Sequence, residues 1–298
     1  MKKISKSLYI FLLFAFSCYA SAQAPPKIDY VKILKEGKYN MLQRQKFSKF
    51  IYQSSEDENL TELRKEYNLD SIAGKGSDIN KAINLLQWMH KTVPHEDEYN
   101  HKLLTAKNII ETYKEKGLAQ GCYPLAIAMN EIFLAMGFKS RIVICFAADF
   151  DHPNGGHVIN TVFIPSLHKW VWMDPQFNAY LKDENGDYLS IAEVREKIIN
   201  HHTIFLNSNA DYHGETIDVN YYLYEFMVEH LYRFISPVNN GFSSETRESG
   251  KTITYIELLP SKSKKPTSGT FESHAANGIQ VITIHTNNPL IFWEKPYF

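Results

Sequence analysis

Residues 117–175 place the strongest constraint on what this chain of 298 residues can fold into. Their pattern predicts one buried helix followed by β strands, with reactive side chains at the ends of these elements. Cys122 precedes an apolar helical face that stops at Gly137, His157 begins a strand, and Asp174 follows another. A helix packed against neighbouring antiparallel strands is an α+β arrangement, with a helical lobe on one side of a sheet.

The strands after this helix bring two of the reactive side chains together. The pattern predicts strands at residues 140–148, 157–164 and 169–173. If the last two form a hairpin with its turn centred between Pro165 and Ser166, His157 and Asp174 face each other directly. A turn centred one residue later makes them diagonal neighbours on the same face. In both registers their Cβ atoms are roughly 5–8 Å apart, within side-chain reach. A turn of odd length would instead place the two side chains on opposite faces of the sheet.

The first residues have the order of a signal peptide. Three lysines precede an apolar run from Leu8 to Phe16, and the small residues Ala20-Ser21-Ala22 follow it. The run is too short to span a bilayer. We therefore expect cleavage after Ala22 and an exported protein, periplasmic or extracellular. Lipoprotein anchoring through Cys18 is disfavoured because the bulky Phe16 fits a lipid-attachment site badly.

Composition excludes several classes of protein. Without the three lysines of the signal peptide, the 32 basic residues fall to 29, against 33 acidic residues. No basic block stands out and no later apolar run reaches membrane-spanning length, so we expect no nucleic-acid partner and no transmembrane segment in the mature chain. The spacing of the histidines, cysteines and acidic residues matches neither a zinc site nor an EF-hand, and we expect no metal or cofactor.

Two cysteines remain after cleavage, Cys122 and Cys145. An exported protein that relied on disulfides would carry more of them. Cys145 lies in the apolar run RIVICFAA and is interpreted as a small buried hydrophobic residue. A redox-active Cys122–Cys145 pair is an alternative, and it predicts the loss of two free thiols on mild oxidation.

Cys122, His157 and Asp174 have the residue types of a thiol catalytic triad. A helix N-terminus lowers the pKa of a thiol, and its free N–H groups can receive an oxyanion. A histidine can hold the thiol's proton and later give it to the leaving group, while a carboxylate fixes the orientation of that histidine. Each residue alone is more often structural. Their joint occurrence in these contexts favours catalysis.

This segment resembles the core of the transglutaminase-like superfamily, whose architecture is related to that of papain. The resemblance covers about residues 78–180, including a helix around Trp88. The matching positions are Gly121-Cys122, Leu125-Ala126, Gly137, Arg141, His157-Val158-Ile159-Asn160 and the run from Trp170 to Pro175. Tyr123-Pro124 departs from the pair expected after the cysteine, which puts the width of the cleft in doubt.

The resemblance implies a papain-like core and an exported bacterial-type member of the superfamily. Its chemistry would be thiol-dependent acyl transfer on peptide or side-chain amides through a Cys122 thioester. Water as acceptor makes such a protein a peptidase or amidase, and an amine makes it a transglutaminase; the exported setting favours hydrolysis. The expected partner is a peptide or protein substrate, with cell-wall peptide among the candidates. Gln120, Tyr123 and Trp172 are candidates for oxyanion or substrate binding.

A non-catalytic peptide- or glycan-binding module that keeps the fold is the alternative function.

The chain divides by composition into four predicted parts: a signal peptide (1–22), an N-terminal helical segment (23–76), the catalytic core (77–215) and a C-terminal aromatic and β-rich extension (216–298). Within these parts we predict helices at 78–93, 105–117 and 190–200. We further predict a break at 71–76, an aromatic helix or strand at 221–234, and two strands in the tail, ITYIELL and IQVITIHT.

Overall fold

The computed structural model describes residues 28–42, 49–96, 104–148, 156–275 and 278–297. The predicted signal peptide, Cys18 and most of the segment between the predicted strands at 140–148 and 157–164 lie outside these ranges. The helices are α1 (Tyr30–Glu36), α2 (Glu58–Glu66), α3 (Leu69–Ala73), α4 (Asp78–Thr92), α5 (Ala106–Lys116), α6 (Cys122–Ala135), α7 (Ile191–Ile199) and α8 (Pro289–Phe292). The strands are β1 (Ile51–Tyr52), β2 (Lys139–Phe146), β3 (Gly156–Ile164), β4 (Lys169–Met173), β5 (Leu181–Lys182), β6 (Phe205–Leu206), β7 (Asp211–Tyr212), β8 (Glu215–Thr216), β9 (Arg233–Pro237), β10 (Asn239–Asn240), β11 (Thr252–Leu258), β12 (Gly269–His274) and β13 (Gln280–Thr286).

The helices begin and end where their capping residues predict. The side chains of Ser77 and Thr105 accept hydrogen bonds from the first turns of α4 and α5. Gly117 ends α5 in the left-handed conformation, with φ of 66°. Ser190 begins α7 with a capping box. Short-range rules therefore place these helices correctly.

Helix α6 is the central helix of the molecule. Every residue from Pro124 to Ala135 is buried, so the helix contacts protein on all sides. One of its few polar residues, Glu131, accepts a hydrogen bond of 2.7 Å from the backbone N–H of Ala106 and one of 2.8 Å from that of Ser243. These bonds tie α6 to α5 and to the C-terminal part of the chain.

A seven-stranded sheet with the order β12-β13-β11-β9-β2-β3-β4 forms the other half of the fold. Its neighbours pair antiparallel except β11 and β13, which run parallel, so the predicted antiparallel sheet is a mixed one. The larger hydrophobic core joins α2–α6 to one face of the sheet. A second core joins the opposite face to α1, α7 and the segment 222–234. The protein has the predicted α+β fold.

The C-terminal part of the chain extends this sheet. The two predicted tail strands are present as β11 and β13, and β9 connects β11 to β2. The aromatic segment begins with π-helical turns at Asn220–Phe226, continues as a 3-10 helix at Met227–Leu231 and enters β9. β12 was not predicted, because most of its residues are exposed and show no apolar alternation.

One further difference from prediction is local. Residues 71–73 of the predicted break belong to α3, and the chain turns only at Gly74, with φ of 74°. Within the described ranges, no helix is both long enough and apolar enough to cross a membrane.

Candidate active site

Cys122 is the first residue of α6 and is half-buried. Gly121 stands at the N-cap position and no side chain caps the helix. The N–H groups of a helix's first turn have no partner within the helix, so those of Cys122 and Tyr123 are available to an oxygen in front of them. Pro124 lies in the same turn, where its missing N–H costs no hydrogen bond. The local sequence thus leaves backbone hydrogen-bond donors beside the thiol.

The hairpin of β3 and β4 adopts the second of the two predicted registers. Ile164 pairs with Lys169 and Val162 with Val171, which centres the turn between Ser166 and Leu167. His157 and Asp174 are therefore diagonal neighbours on one face, as that register requires. Their side chains meet, with 2.8 Å between Nε2 of the imidazole and Oδ2 of the carboxylate.

A glycine is needed where β3 begins. Gly156 pairs with Phe146 of β2, and a Cβ on Gly156 would lie 2.9 Å from the Phe146 ring. Only a residue without a side chain allows this close approach. The strand can therefore lie close to β2 at the residue immediately before His157.

The side chain of Asp174 is fully buried, and both of its carboxylate oxygens accept hydrogen bonds. Oδ2 accepts from His157 and, at 2.8 Å, from the hydroxyl of Tyr222. Oδ1 accepts from the backbone N–H groups of Gln176 at 3.0 Å and Phe177 at 3.4 Å. Four hydrogen-bond donors therefore hold this one carboxylate in place. The negative charge lies directly behind the imidazole.

His157 lies between Asp174 and Cys122. Burial by itself lowers the pKa of His157, but the charge of Asp174 and hydrogen bonds to Asp174 and Cys122 outweigh it and raise this pKa to about 10. Because Nε2 faces Asp174, Nδ1 is the nitrogen that remains for the thiol. Phe177 and Phe226 cover the ring edge-on, with centroids 5.8 and 5.1 Å from that of the imidazole. The ring is fixed in orientation and stabilised as the imidazolium.

Comparison with known families agrees with this geometry. Residues 65–175 match the transglutaminase-like superfamily. They form a transglutaminase-like core. The predicted family is thereby confirmed for the segment that contains α4–α6 and β2–β4. No curated protein of known function matches the chain.

Solved structures give weaker similarity. A candidate cysteine protease from Cytophaga hutchinsonii is 17% identical, covering 49% of this chain and 47% of that one, with a TM-score of 0.32. LapG from Legionella pneumophila, solved after EGTA treatment, is 12% identical, covering 48% of this chain and 77% of its own, with a TM-score of 0.29. The chain thus spans about half the length of the Cytophaga protein. TM-scores this low carry no argument about function.

The transglutaminase-like core depends on a residue that sequence reasoning missed, Tyr222. Its hydroxyl donates to Asp174 and accepts from Nε1 of Trp172 at 2.9 Å, and the side chain is fully buried. The aromatic run after residue 220 indicates packing on the core. It does not indicate which of its tyrosines reaches the carboxylate, because that choice depends on how the π-helical turns lie against β4.

The structure changes the interpretation of Trp172 and Tyr123. Trp172 was a candidate for substrate binding, yet its indole is fully buried and touches the site only through Tyr222. Tyr123 points its hydroxyl to buried Glu245, which also accepts from Tyr255 at 2.6 Å. Burial and the nearby charge of Glu245 raise the pKa of Tyr123 well above its usual value. Both side chains support the site from behind.

Gln120 is also buried, two residues before the thiol. Its side-chain amide donates to the backbone oxygen of Leu118 at 2.8 Å. Its backbone N–H donates to Pro94 at 3.0 Å, and its carbonyl accepts from Glu96 at 3.0 Å. These bonds fix the loop that leads into α6. They give Gln120 a structural role beside its predicted role as an oxyanion donor.

Arg141 and Cys145 are both buried in the protein interior. Arg141 is fully buried; its guanidinium lies over the rings of Phe50 and Trp170 and donates to the backbone oxygen of Phe292 at 2.9 Å. Cys145 is a buried free thiol whose pKa is raised by burial and by the negative charge of Asp174. Among the described residues, no group of three or more His, Cys, Asp or Glu side chains could hold a metal ion.

Proposed function

We propose that this protein carries out thiol-dependent acyl transfer on peptide or side-chain amides, with Cys122 as nucleophile, His157 as acid and base, and Asp174 as the residue that orients the histidine. The observation that carries the proposal is the position of His157, which is hydrogen-bonded to Asp174 and whose pKa is raised by its interactions with both Asp174 and Cys122. In this arrangement the proton of the thiol passes to the imidazole, leaving a thiolate at a helix N-terminus.

The first half of the reaction follows from these contacts. The Cys122 sulfur attacks the carbonyl carbon of an amide, and the N–H groups at the start of α6 bind the oxyanion. His157 gives its proton to the departing amine, and a thioester remains on Cys122. In the second half, His157 takes a proton from the acceptor as this attacks the thioester. Water as acceptor releases an acid, and an amine forms a new amide.

We favour hydrolysis, and we propose that the protein acts outside the cytoplasm after loss of residues 1–22. The predicted signal peptide supports export, and in an extracytoplasmic setting water is the acceptor present at highest concentration. A peptide or protein is the proposed substrate. The preference for water over an amine is tested by incubating peptide amides with and without an added amine and identifying the products by mass spectrometry.

The decisive experiment measures alkylation of Cys122 by iodoacetamide against pH, in protein that lacks residues 1–22 and carries Cys145→Ala. A thiolate paired with an imidazolium predicts rapid alkylation well below the free-thiol pKa of about 8.5. His157→Ala should remove this reactivity at low pH.

His285→Ala is the matched control, because His285 is also a buried histidine paired with a carboxylate, that of Glu257, at 3.2 Å. It should leave the alkylation profile unchanged. Alkylation that rises only near the free-thiol pKa and ignores His157→Ala would contradict the catalytic proposal. The non-catalytic binding module would then be the better description.

A further inference from the structure

A polar pocket of about 720 Å³ lies beside the candidate active site. One wall is formed by Pro94, His95 and Glu96, and another by Gln176 and Asn178. The described lining residues include three histidines and no Leu, Ile, Val, Met, Phe, Tyr or Trp side chain. A cavity of this size is large enough for a few residues of a peptide.

Both walls are hydrogen-bonded to the candidate catalytic residues or to their chain neighbours. Gln120, two residues before Cys122, is bonded to Pro94 and Glu96 through its backbone. Gln176, on the other wall, donates its backbone N–H to Asp174. A ligand in the pocket would therefore contact residues that are hydrogen-bonded to Asp174 and to the loop before Cys122. This placement is that of a substrate subsite.

The side-chain amides of the second wall have unused hydrogen-bonding capacity. Gln176 is only 5% exposed, and its side-chain amide makes no hydrogen bond to any described residue. Asn178 donates Nδ2 to the backbone oxygen of Asn209 at 2.8 Å, which fixes the orientation of its amide. Its Oδ1 is then a buried acceptor with no partner in the described part of the chain. Buried polar atoms are normally hydrogen-bonded, so this wall is suited to the N–H and C=O groups of an amide.

Among the described residues, one cationic side chain of the pocket, that of Lys91, is not paired with an acidic side chain. His90 pairs with Asp211 at 3.0 Å, and His213 faces Glu96 at 4.0 Å. Lys91 is exposed, lines the pocket, and has no acidic partner within ion-pair distance among the described residues. A ligand that fits both features carries a carboxylate close to an amide.

We propose that this pocket is a subsite for a substrate segment that carries a carboxylate side chain, with Lys91 binding the carboxylate and Gln176 binding a backbone amide. The proposal rests on the proposed function, because it names the class of peptide that is presented to Cys122. It predicts that the protein prefers acidic peptides over their neutral amide counterparts.

The test uses two peptides that differ only in one charge, Ac-Ala-Glu-Ala-Ala-NH₂ and Ac-Ala-Gln-Ala-Ala-NH₂. Their dissociation constants are measured by NMR titration of the ¹⁵N-labelled Cys122→Ala protein, which separates binding from turnover. We expect the Glu peptide to bind about threefold to fivefold more tightly, the size of one solvent-exposed ion pair.

Three further substitutions in the Cys122→Ala protein test which side chains cause the preference for the Glu peptide. Lys91→Gln should abolish the difference between the peptides, and Gln176→Ala should weaken both by about threefold or more, the loss of one hydrogen bond. Asn80→Ala is the matched control, because Asn80 is exposed at the opposite end of α4. It should leave both dissociation constants unchanged.

Equal binding of the two peptides, a difference that survives Lys91→Gln, or binding of neither peptide up to about 10 mM would overturn the subsite. Alkylation of Cys122 in protein with a wild-type pocket keeps this outcome separate from the proposed function. A reactive thiol without peptide discrimination removes the subsite alone. Discrimination by a protein with an unreactive thiol keeps the pocket and removes the catalytic proposal.

Discussion

Replacing Asp174 by asparagine gives the most demanding test of the charge arrangement at the site. The substitution keeps the size of the side chain, removes its negative charge, and replaces one acceptor oxygen by an NH₂ donor. If the new amide keeps its oxygen on the N–H groups of Gln176 and Phe177, its NH₂ group faces His157. The imidazole must then accept a hydrogen bond at Nε2, which it does only when that nitrogen is unprotonated.

The size of the effect follows from the pKa of His157. Asp174 and Cys122 raise this pKa from 6.5 to about 10 against the opposing effect of burial. The difference corresponds to about 5 kcal/mol in favour of the imidazolium. Without the carboxylate, burial acts with far less opposition, and we expect the pKa to fall to 6.5 or below. At pH 7 the protonated fraction then drops from nearly all molecules to less than about one quarter.

Two assays follow the change. Long-range ¹H–¹⁵N NMR spectra of protein labelled at histidine report protonation and tautomer, with His157→Gln identifying the resonance. Alkylation of Cys122 against pH reports the consequence, and Asp174→Asn should lose the fast reaction at low pH. Asp211→Asn is the matched control, because Asp211 pairs with a different histidine. It should alter neither measurement for His157.

The reasoning fails if His157 in the Asp174→Asn protein still titrates above pH 8, or if the alkylation profile matches that of the wild type. Either result would mean that the carboxylate does not set the protonation state of the imidazole. The raised pKa would then have another source.

Two further predictions concern stability. Tyr222→Phe removes one hydrogen bond to the buried Asp174 carboxylate, and we expect the free energy of unfolding to fall by about 2 kcal/mol and alkylation of Cys122 to slow; an unchanged denaturation midpoint would contradict this role for the hydroxyl. Glu257 is 1% exposed, and although burial raises its pKa, His285 and the positive charges around it lower this pKa to about 2. Its contribution is therefore present above pH 4.5 and is lost as the pH falls towards 2, by about 3 kcal/mol. Between pH 2 and 4.5 the free energy of unfolding should depend less steeply on pH for Glu257→Gln than for the wild type. Equal pH dependence in the two proteins would refute the assignment.

Much of the core could be predicted because its signals are local. Capping by Ser77 and Thr105, the glycine stops and the apolar face of α6 each depend on residues a few positions apart. Two possible registers of the β3–β4 hairpin place His157 beside Asp174, whereas a turn of odd length separates them. The structure selected the second, and both choices place His157 near Asp174.

Contacts between distant parts of the chain were beyond such reasoning. Trp172 follows the family pattern, which predicts that it lies near the substrate. In the structure its indole N–H instead donates to the hydroxyl of Tyr222, 50 residues later in the chain, and the indole lies behind Asp174. In the same way Tyr123 is held by Glu245, 122 residues away. The periodicity of apolar residues in a segment shows which side chains face inward, but not which partners they contact.

The sequence by itself determined that Cys122 begins a buried helix, that His157 and Asp174 share a hairpin, and that this order resembles the transglutaminase-like superfamily. These features depend on hydrogen bonds and side-chain periodicities within one segment. Only the tertiary structure decided that β9, β11 and β13 extend the same sheet, that Tyr222 completes the bonding of Asp174, and that Gln176 and Lys91 line one pocket. Those arrangements depend on the packing of segments far apart in the chain, where many partners satisfy the same local pattern and burial selects among them.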